Sequence, residues 1–284
     1  LLCIGRAAAI VYLLICIIVY FAQNWLLFPG AAAQGTPEAI VQPPAGCELL
    51  HLTAKTGEKI TALYGTALLQ DGTLDSDSEH QPTFIYFYGN GTAIAWSLRE
   101  YNQFRRLGVN VLMPDYAGYG MSSGKPSEKS LYATADAAYD YLRNRGEPPE
   151  RIIAVGWSLG GAVAIDLVWR RPVAALAVFN AYTSIPDMAA KVLPWLPARL
   201  LTSYHFDNLK KIPAIKCPTF ICNGLLDDLV PPKMSDQLAA AAGGRVTRVK
   251  IPQAGHNDIF SADPRGVAEG LGSFIPGVKS SDIN

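Results

Sequence analysis

The chain is predicted to fold as an α/β protein: a mostly parallel sheet with helices on both faces, preceded by one helix of membrane-crossing length. Three observations carry this. From about residue 47 short apolar runs alternate with helical stretches, the pattern of a sheet whose strands are buried on both sides. Residues 151–169 pass from strand to helix through a turn rich in glycine. Residues 7–28 carry no charged side chain at all. Composition agrees. Half of the 284 residues are hydrophobic and 17% are charged, so the chain can bury a sizeable core and is not a disordered one. Lys plus Arg and Asp plus Glu each number 24. A neutral chain has no global pull toward a polyanion, so no nucleic-acid partner is expected.

The elements follow in order. Ala7–Phe28, with Gln23 and Asn24 as its only polar side chains, would span about 33 Å as a helix, enough to cross a bilayer core. Arg6 precedes it and no Lys or Arg follows until Lys55. Residues 1–6 are therefore expected on the cytoplasmic side and the remainder on the other, periplasmic, lumenal or extracellular, side. Trp25 suits the far interface. Ala31-Ala32-Ala33 offers an A-x-A cleavage pattern, so a signal peptide is the rival reading, and a core helix the third. The length of the run favours the anchor. Residues 29–46 hold four prolines and three glycines without periodicity and read as a linker. A domain is expected over 47–278.

Glu48–Ala54 and Lys59–Leu69 read as an opening antiparallel pair. Gln70–Gln81 is an acidic solvated loop. Thr83–Tyr88 is a buried strand, Ala93–Leu107 a helix, Val109–Pro114 a strand. Ser127 caps a helix to Arg145, with Tyr132, Ala135, Ala138, Tyr139 and Leu142 on one face. Arg151–Val155 is a strand followed at once by the helix Leu159–Trp169. Ala174–Phe179, Thr219–Cys222 and Val246–Ile251 are further strands, and Met234–Ala242 and Gly266–Phe274 helices. Residues 183–213, with four prolines, interrupt the alternation and read as a short excursion over the sheet, too small for a large lid. Of the five cysteines, Cys217 and Cys222 fall on opposite faces of one strand and cannot bridge each other. The three at 47, 217 and 222 read as buried thiols. No Cys/His zinc spacing appears, and neither metal nor cofactor is expected.

The chemistry centres on Gly156-Trp157-Ser158-Leu159-Gly160. Such a string is weak by itself, but here it follows a strand and opens a helix, which is what a nucleophile elbow needs. Glycines let the backbone through a strained turn that lifts the Ser158 hydroxyl to the top of the sheet. The N–H of Leu159, at the helix start, can stabilise an oxyanion. A serine needs a base. Of His51, His80, His205 and His256, only His256 lies just after the last strand, at the carboxyl edge where active sites of such sheets sit. His205 is the reserve. The base needs a carboxylate to fix its tautomer. Asp227, after the strand TFIC, is preferred over its neighbour Asp228 and over Asp258. The second oxyanion donor is expected in Tyr88-Gly89-Asn90-Gly91, with Asn90 first and Gly91 next. Gly118–Pro126 is glycine-rich but breaks both nucleotide-binding patterns, with Ser123 at the last glycine of one and Pro126 at the Ser/Thr of the other.

These segments together resemble the α/β-hydrolase superfamily. The carriers are Tyr88–Gly91, Asp115–Gly124, Gly156–Gly161, Asn223–Pro231 and Gly255-His256. More narrowly the chain is similar to the BEM46-like and ABHD13/ABHD17-like serine hydrolases, which often carry an N-terminal anchor ending like Gln23–Pro29. Tyr204–Leu209 also fits that group, and the likeness covers nearly the whole chain. Two positions depart from it: Tyr88 and Asn223 stand where histidines are usual. The resemblance implies an α/β-hydrolase fold and hydrolysis of an ester, thioester or amide. The expected function is a membrane-anchored serine hydrolase acting on a small-molecule or lipid acyl ester. An aminopeptidase-type amide hydrolase, a non-catalytic binding protein and acyl transfer to an alcohol are the alternatives.

Overall fold

The computed structural model describes residues 2–274. The last four positions of the expected 47–278 domain lie outside that range. Eight strands form one sheet: β1 (Cys47–Thr53), β2 (Lys59–Gly65), β3 (Thr83–Phe87), β4 (Asn110–Pro114), β5 (Ile152–Trp157), β6 (Ala175–Phe179), β7 (Thr219–Gly224) and β8 (Val246–Ile251). Their order is β1-β2-β4-β3-β5-β6-β7-β8. β1 pairs antiparallel with β2, and β2 with β4. Every later pairing is parallel. This is the α/β-hydrolase fold. β3 to β7 are buried along their whole length, which explains why they read as continuous apolar runs rather than alternating ones.

The helices are α1 (Leu2–Leu27), α2 (Leu98–Arg105), α3 (Glu128–Asn144), α4 (Leu159–Arg170), α5 (Ile185–Val192), α6 (Ala198–Leu201), α7 (Asn208–Lys211), α8 (Pro232–Ala241), α9 (Ile259–Ala262) and α10 (Pro264–Phe274). α3 starts where its sequence says: Ser127 Oγ accepts from the Ser130 N–H at 3.1 Å, and Ser130 Oγ accepts from the Ser127 N–H at 2.9 Å, a reciprocal cap. α3 and α4 pack together on one face of the sheet. On the other, Phe104 of α2, Phe260 of α9 and Phe274 of α10 meet strand aromatics Phe84, Tyr86, Phe179 and Phe220 edge-on or tilted, centroids 4.9–6.3 Å apart. The long helix expected over Ala93–Leu107 is shorter. A 3-10 turn over Ile94–Trp96 precedes α2, and Asp115 Oδ1 takes its first N–H, that of Ile94, at 2.9 Å. The second strand also ends early, at Gly65. A Cβ there would crowd the Tyr101 hydroxyl and Arg105, and the chain leaves the sheet.

Two further expectations change. Residues 29–46 are not a free tether. They run over the domain as a strap: Gly35 N–H bonds Gly120 O at 2.8 Å, and Gln34 Nε2 donates to Ser122 O and Gly124 O at 2.9 and 3.1 Å. Gly30 lies where a Cβ would strike the Tyr119 ring, and Phe28, Ala39 and Val41 are buried. The glycine-rich loop 118–124 is thus the strap's seat. The five cysteines are free thiols, but only Cys222 of the domain's three is fully buried, with Cys47 and Cys217 half-buried. Burial pushes the Cys222 thiol up to about 12 and that of Cys217 up to about 11.

Helix α1 is apolar and long enough to cross a membrane over Cys3–Leu27. It is not a core helix: Ile10, Leu13, Phe21 and Trp25 are each 60–79% exposed. Cys16 is buried, and Ile15, Val19, Ala22, Gln23 and Leu27 are half-buried. Their three- and four-residue spacing puts a single stripe on the domain.

Asp115, just past β4, ties the loop that follows β3 to the loop that follows β4. The Tyr88 hydroxyl and the N–H groups of Ile94 and Met121 all donate to it, at 2.8, 2.9 and 2.8 Å. Burial nevertheless raises its carboxyl to about 6, above the roughly 3.9 of an unfolded chain. Folding thus favours the neutral acid. Its stabilising share is full below about pH 4 and is lost as the pH rises through about 6, a loss on the order of 3 kcal/mol for two units. Urea unfolding of wild type and Asp115→Asn at pH 4 and pH 7.5 should show the wild type losing that amount relative to the variant. A difference that does not move with pH would exclude an uncharged Asp115.

Candidate active site

Ser158 follows β5 and precedes α4 with φ +51° and ψ −111°, a conformation that costs a non-glycine residue energy and survives only where the surroundings enforce it. The surroundings are visible. A Cβ on Gly156 would collide with the Gly160 carbonyl, and one on Gly160 with the backbone oxygen of Phe87. The two outer glycines of the motif are therefore demanded by close backbone approach. The Ser158 N–H bonds Phe179 O at 2.8 Å, anchoring the turn to β6. Ser158 is 8% exposed and faces a cavity of about 550 Å³. Among the described residues its hydroxyl makes no hydrogen bond.

Asp227 and His256 meet. His256 Nδ1 lies 2.7 Å from Asp227 Oδ2, and the other carboxylate oxygen accepts from the Leu229 and Val230 N–H groups at 3.0 and 2.7 Å. The side chain of Asp227 is fully buried and that of His256 is 10% exposed. With Nδ1 as the donor to Asp227, Nε2 is left as the basic nitrogen. Asp228 is exposed and contributes a backbone carbonyl to Lys191. Asp258 closes the histidine loop by accepting from the Gly255 N–H at 2.6 Å. The other histidines stay apart: His51 and His205 are exposed, and His80 pairs with Asp77 in the acidic loop.

Asn90 and Leu159 line the same cavity as Ser158. Leu159 is the first residue of α4, so its N–H has no intrahelical acceptor. The Gly91 N–H is taken by Asn90 Oδ1 at 3.0 Å, which removes Gly91 as a donor. The Asn90 side chain is itself pinned: it accepts from the Tyr119 hydroxyl at 2.8 Å and donates to Leu27 O, the last residue of α1, at 2.5 Å. The Tyr88 hydroxyl donates to Asp115 at 2.8 Å, and its carbonyl accepts from the Tyr116 hydroxyl at 2.7 Å.

Sequence reasoning missed Asn180. It follows β6 at φ +46° and is completely buried. Its Nδ2 donates to Gly255 O and His256 O at 3.2 and 2.7 Å, and its Oδ1 accepts from the Gly224 N–H at 3.1 Å. The pair Phe179-Asn180 thus grips the serine turn with its backbone and the histidine loop with its side chain. The one available signal was an Asn placed directly after an apolar strand, at the carboxyl edge of the sheet.

The chain has counterparts among known proteins. A model described as the alpha/beta hydrolase family matches residues 88–209. Protein bem46 of Schizosaccharomyces pombe is 30% identical over 99% of this chain and 93% of its own length. The chain belongs to the α/β-hydrolase family, in its BEM46-like branch. An uncharacterized protein of Mycobacterium tuberculosis is 39% identical to this hydrolase-family chain, over 60% of either length. An esterase of Pyrococcus furiosus superposes with a TM-score of 0.64 at 18% identity, covering 82% of this chain and 98% of that one, a likeness of fold. Family membership supports a hydrolase.

Removing the Asn180 amide takes this partner from the buried Gly224 N–H and from the half-buried carbonyls of Gly255 and His256. Each such loss costs about 1–3 kcal/mol where water cannot enter. Asn180→Ala should therefore destabilise the protein by on the order of 3 kcal/mol in urea unfolding. A cost below about 0.5 kcal/mol would show that Asn180 does not hold these loops.

Proposed function

We propose that the protein is a membrane-anchored serine hydrolase that cleaves carboxylic ester or thioester bonds through an acyl-enzyme. The observation that carries the reading is a strained serine facing an apolar cavity while a histidine is held by a buried carboxylate on the same sheet edge. Ser158 Oγ attacks the acyl carbonyl, and His256 Nε2 takes its proton. The N–H groups of Leu159 and Asn90 receive the oxyanion. The bond to the leaving alcohol or thiol breaks as His256 returns the proton to it. Water, deprotonated by the same nitrogen, then releases the acid and restores Ser158. Asp227 orients the imidazole and stabilises its charged form. The Ser158–His256 bond forms in the reacting complex, as apo sites often leave it long.

The cavity wall favours an acyl chain over the charged end of a peptide, since it is built mainly of Leu, Ile, Val, Met and Phe side chains. Anchor rather than cleaved signal is supported by polar ties from α1 to the domain. The Ser203 N–H bonds Gln23 Oε1 at 2.7 Å, and the Tyr204 hydroxyl bonds Asn24 Oδ1 at 2.8 Å. With Arg6 before the helix, the domain is assigned to the non-cytoplasmic side.

A fluorophosphonate probe should label the detergent-solubilised wild type and leave Ser158→Ala unlabelled. Turnover of p-nitrophenyl esters should fall by at least about a thousandfold in Ser158→Ala and in Asp227→Asn. Equal labelling of wild type and Ser158→Ala would reject the assignment of the nucleophile.

A further inference from the structure

The cavity over Ser158 is built by two elements that the domain alone does not explain. One wall is α1, through Val19, Gln23 and Leu26, and the facing wall is the excursion α5–α6, through Met188, Val192 and Leu201. Leu26 and Val192 are both wall residues and both exposed, by 49% and 59%. The mouth of the cavity therefore opens between them, in the seam of α1 with the excursion. That seam is long. The Tyr12 hydroxyl donates to Trp195 O at 3.2 Å, and Leu27 O bonds Asn90 beside the site. Tyr12 to Leu27 is about 22 Å along a helix axis, against a hydrocarbon core of about 30 Å. If α1 crosses a bilayer, the tip of the excursion must be sunk below the headgroups.

The tip is suited to that. Its outward side chains Trp195 and Leu200 are 55% and 87% exposed. Its two cations are engaged within the protein, Lys191 on the carbonyls of Asp228 and Leu229 and Arg199 on Asp187 at 2.8 Å. We infer that the site draws its acyl chain sideways from the leaflet around the carboxyl-terminal half of α1, and that α1 is a wall of the acyl-chain site as well as an anchor. The substrate class is then a long-chain acyl ester or thioester embedded in lipid. Entry and chain recognition rest on the cavity; only the cleavage of the chain rests on the serine hydrolase reading.

The test uses the full chain in nanodiscs of phosphatidylcholine carrying a diazirine on one acyl chain, in the Ser158→Ala background so that no lipid is consumed. Tyr182 lines the cavity and is 3% exposed, out of reach of bulk lipid. Light should attach lipid to the peptide containing Tyr182, and Val19→Trp, which fills the cavity, should reduce that product at least fivefold. Labelling confined to the exposed face of residues 3–14 would overturn the inference. In the catalytic background, the ratio of kcat/KM for p-nitrophenyl laurate to that for the acetate should fall at least tenfold in Val19→Trp and rise in Val19→Ala. An unchanged ratio in both would overturn it equally. Absence of any ester turnover by wild type would instead reject the hydrolase reading, and Tyr182 labelling would still decide lipid entry.

Discussion

The whole site depends on how the chain leaves β6. Phe179 and Asn180 are neighbours, yet one holds the turn of Ser158 and the other holds the loop of His256 and the end of β7. The parallel sheet brings three carboxyl-terminal loops to one edge, but parallel strands by themselves leave each loop free in orientation. Backbone groups in those loops have few regular partners and would otherwise need water. Asn180 satisfies three of them with one amide. It does so from the left-handed region, which asparagine tolerates better than most residues. The histidine loop is thereby positioned by its own carbonyls before its imidazole meets Asp227, and the imidazole bond needs only to fix the ring.

A second constraint works on the serine side. Gly156 and Gly160 are needed because backbone lies where their side chains would be. That crowding is what enforces the positive φ of Ser158. The strain is therefore stored in packing between β5, the start of α4 and the end of β3, and is carried by the most buried part of the sheet. Asp227 shows the same logic in polar form. Two N–H groups of its own loop hold one oxygen, leaving the other for His256, while its neighbour Asp228 is exposed.

What the sequence disclosed follows from this physics. Strands β3 to β7 were legible because burial on both faces writes continuous apolar runs, and α3 because Ser127 and its periodic face announce it. The residues at the site were legible where chemistry restricts residue type to very few: one Ser in a glycine-bounded turn, one His after the last strand. Asn180 was not, because an asparagine that bonds only backbone leaves no pattern in its neighbours. Nor was the 3-10 turn before α2, whose first N–H is taken by Asp115, twenty-one residues away in the chain. Long-range bonds of this kind have no local periodicity to read.

Residues 29–46 read as a linker and yet pack on the domain, and the reason is physical. Proline and glycine without periodicity signal a segment that forms no regular ladder, but not one that lacks partners. Here the strap's glycines serve close contact, with Gly30 against Tyr119. Tyr119 in turn holds Asn90, and Asn90 holds the final carbonyl of α1. Polar contacts thus run without a break from the membrane-length helix to the loop beside Ser158. A helix that only tethered a domain would have no need to bond the loop beside the proposed nucleophile. A helix that shapes that loop and walls its cavity makes the placement of α1 part of the geometry of the candidate site.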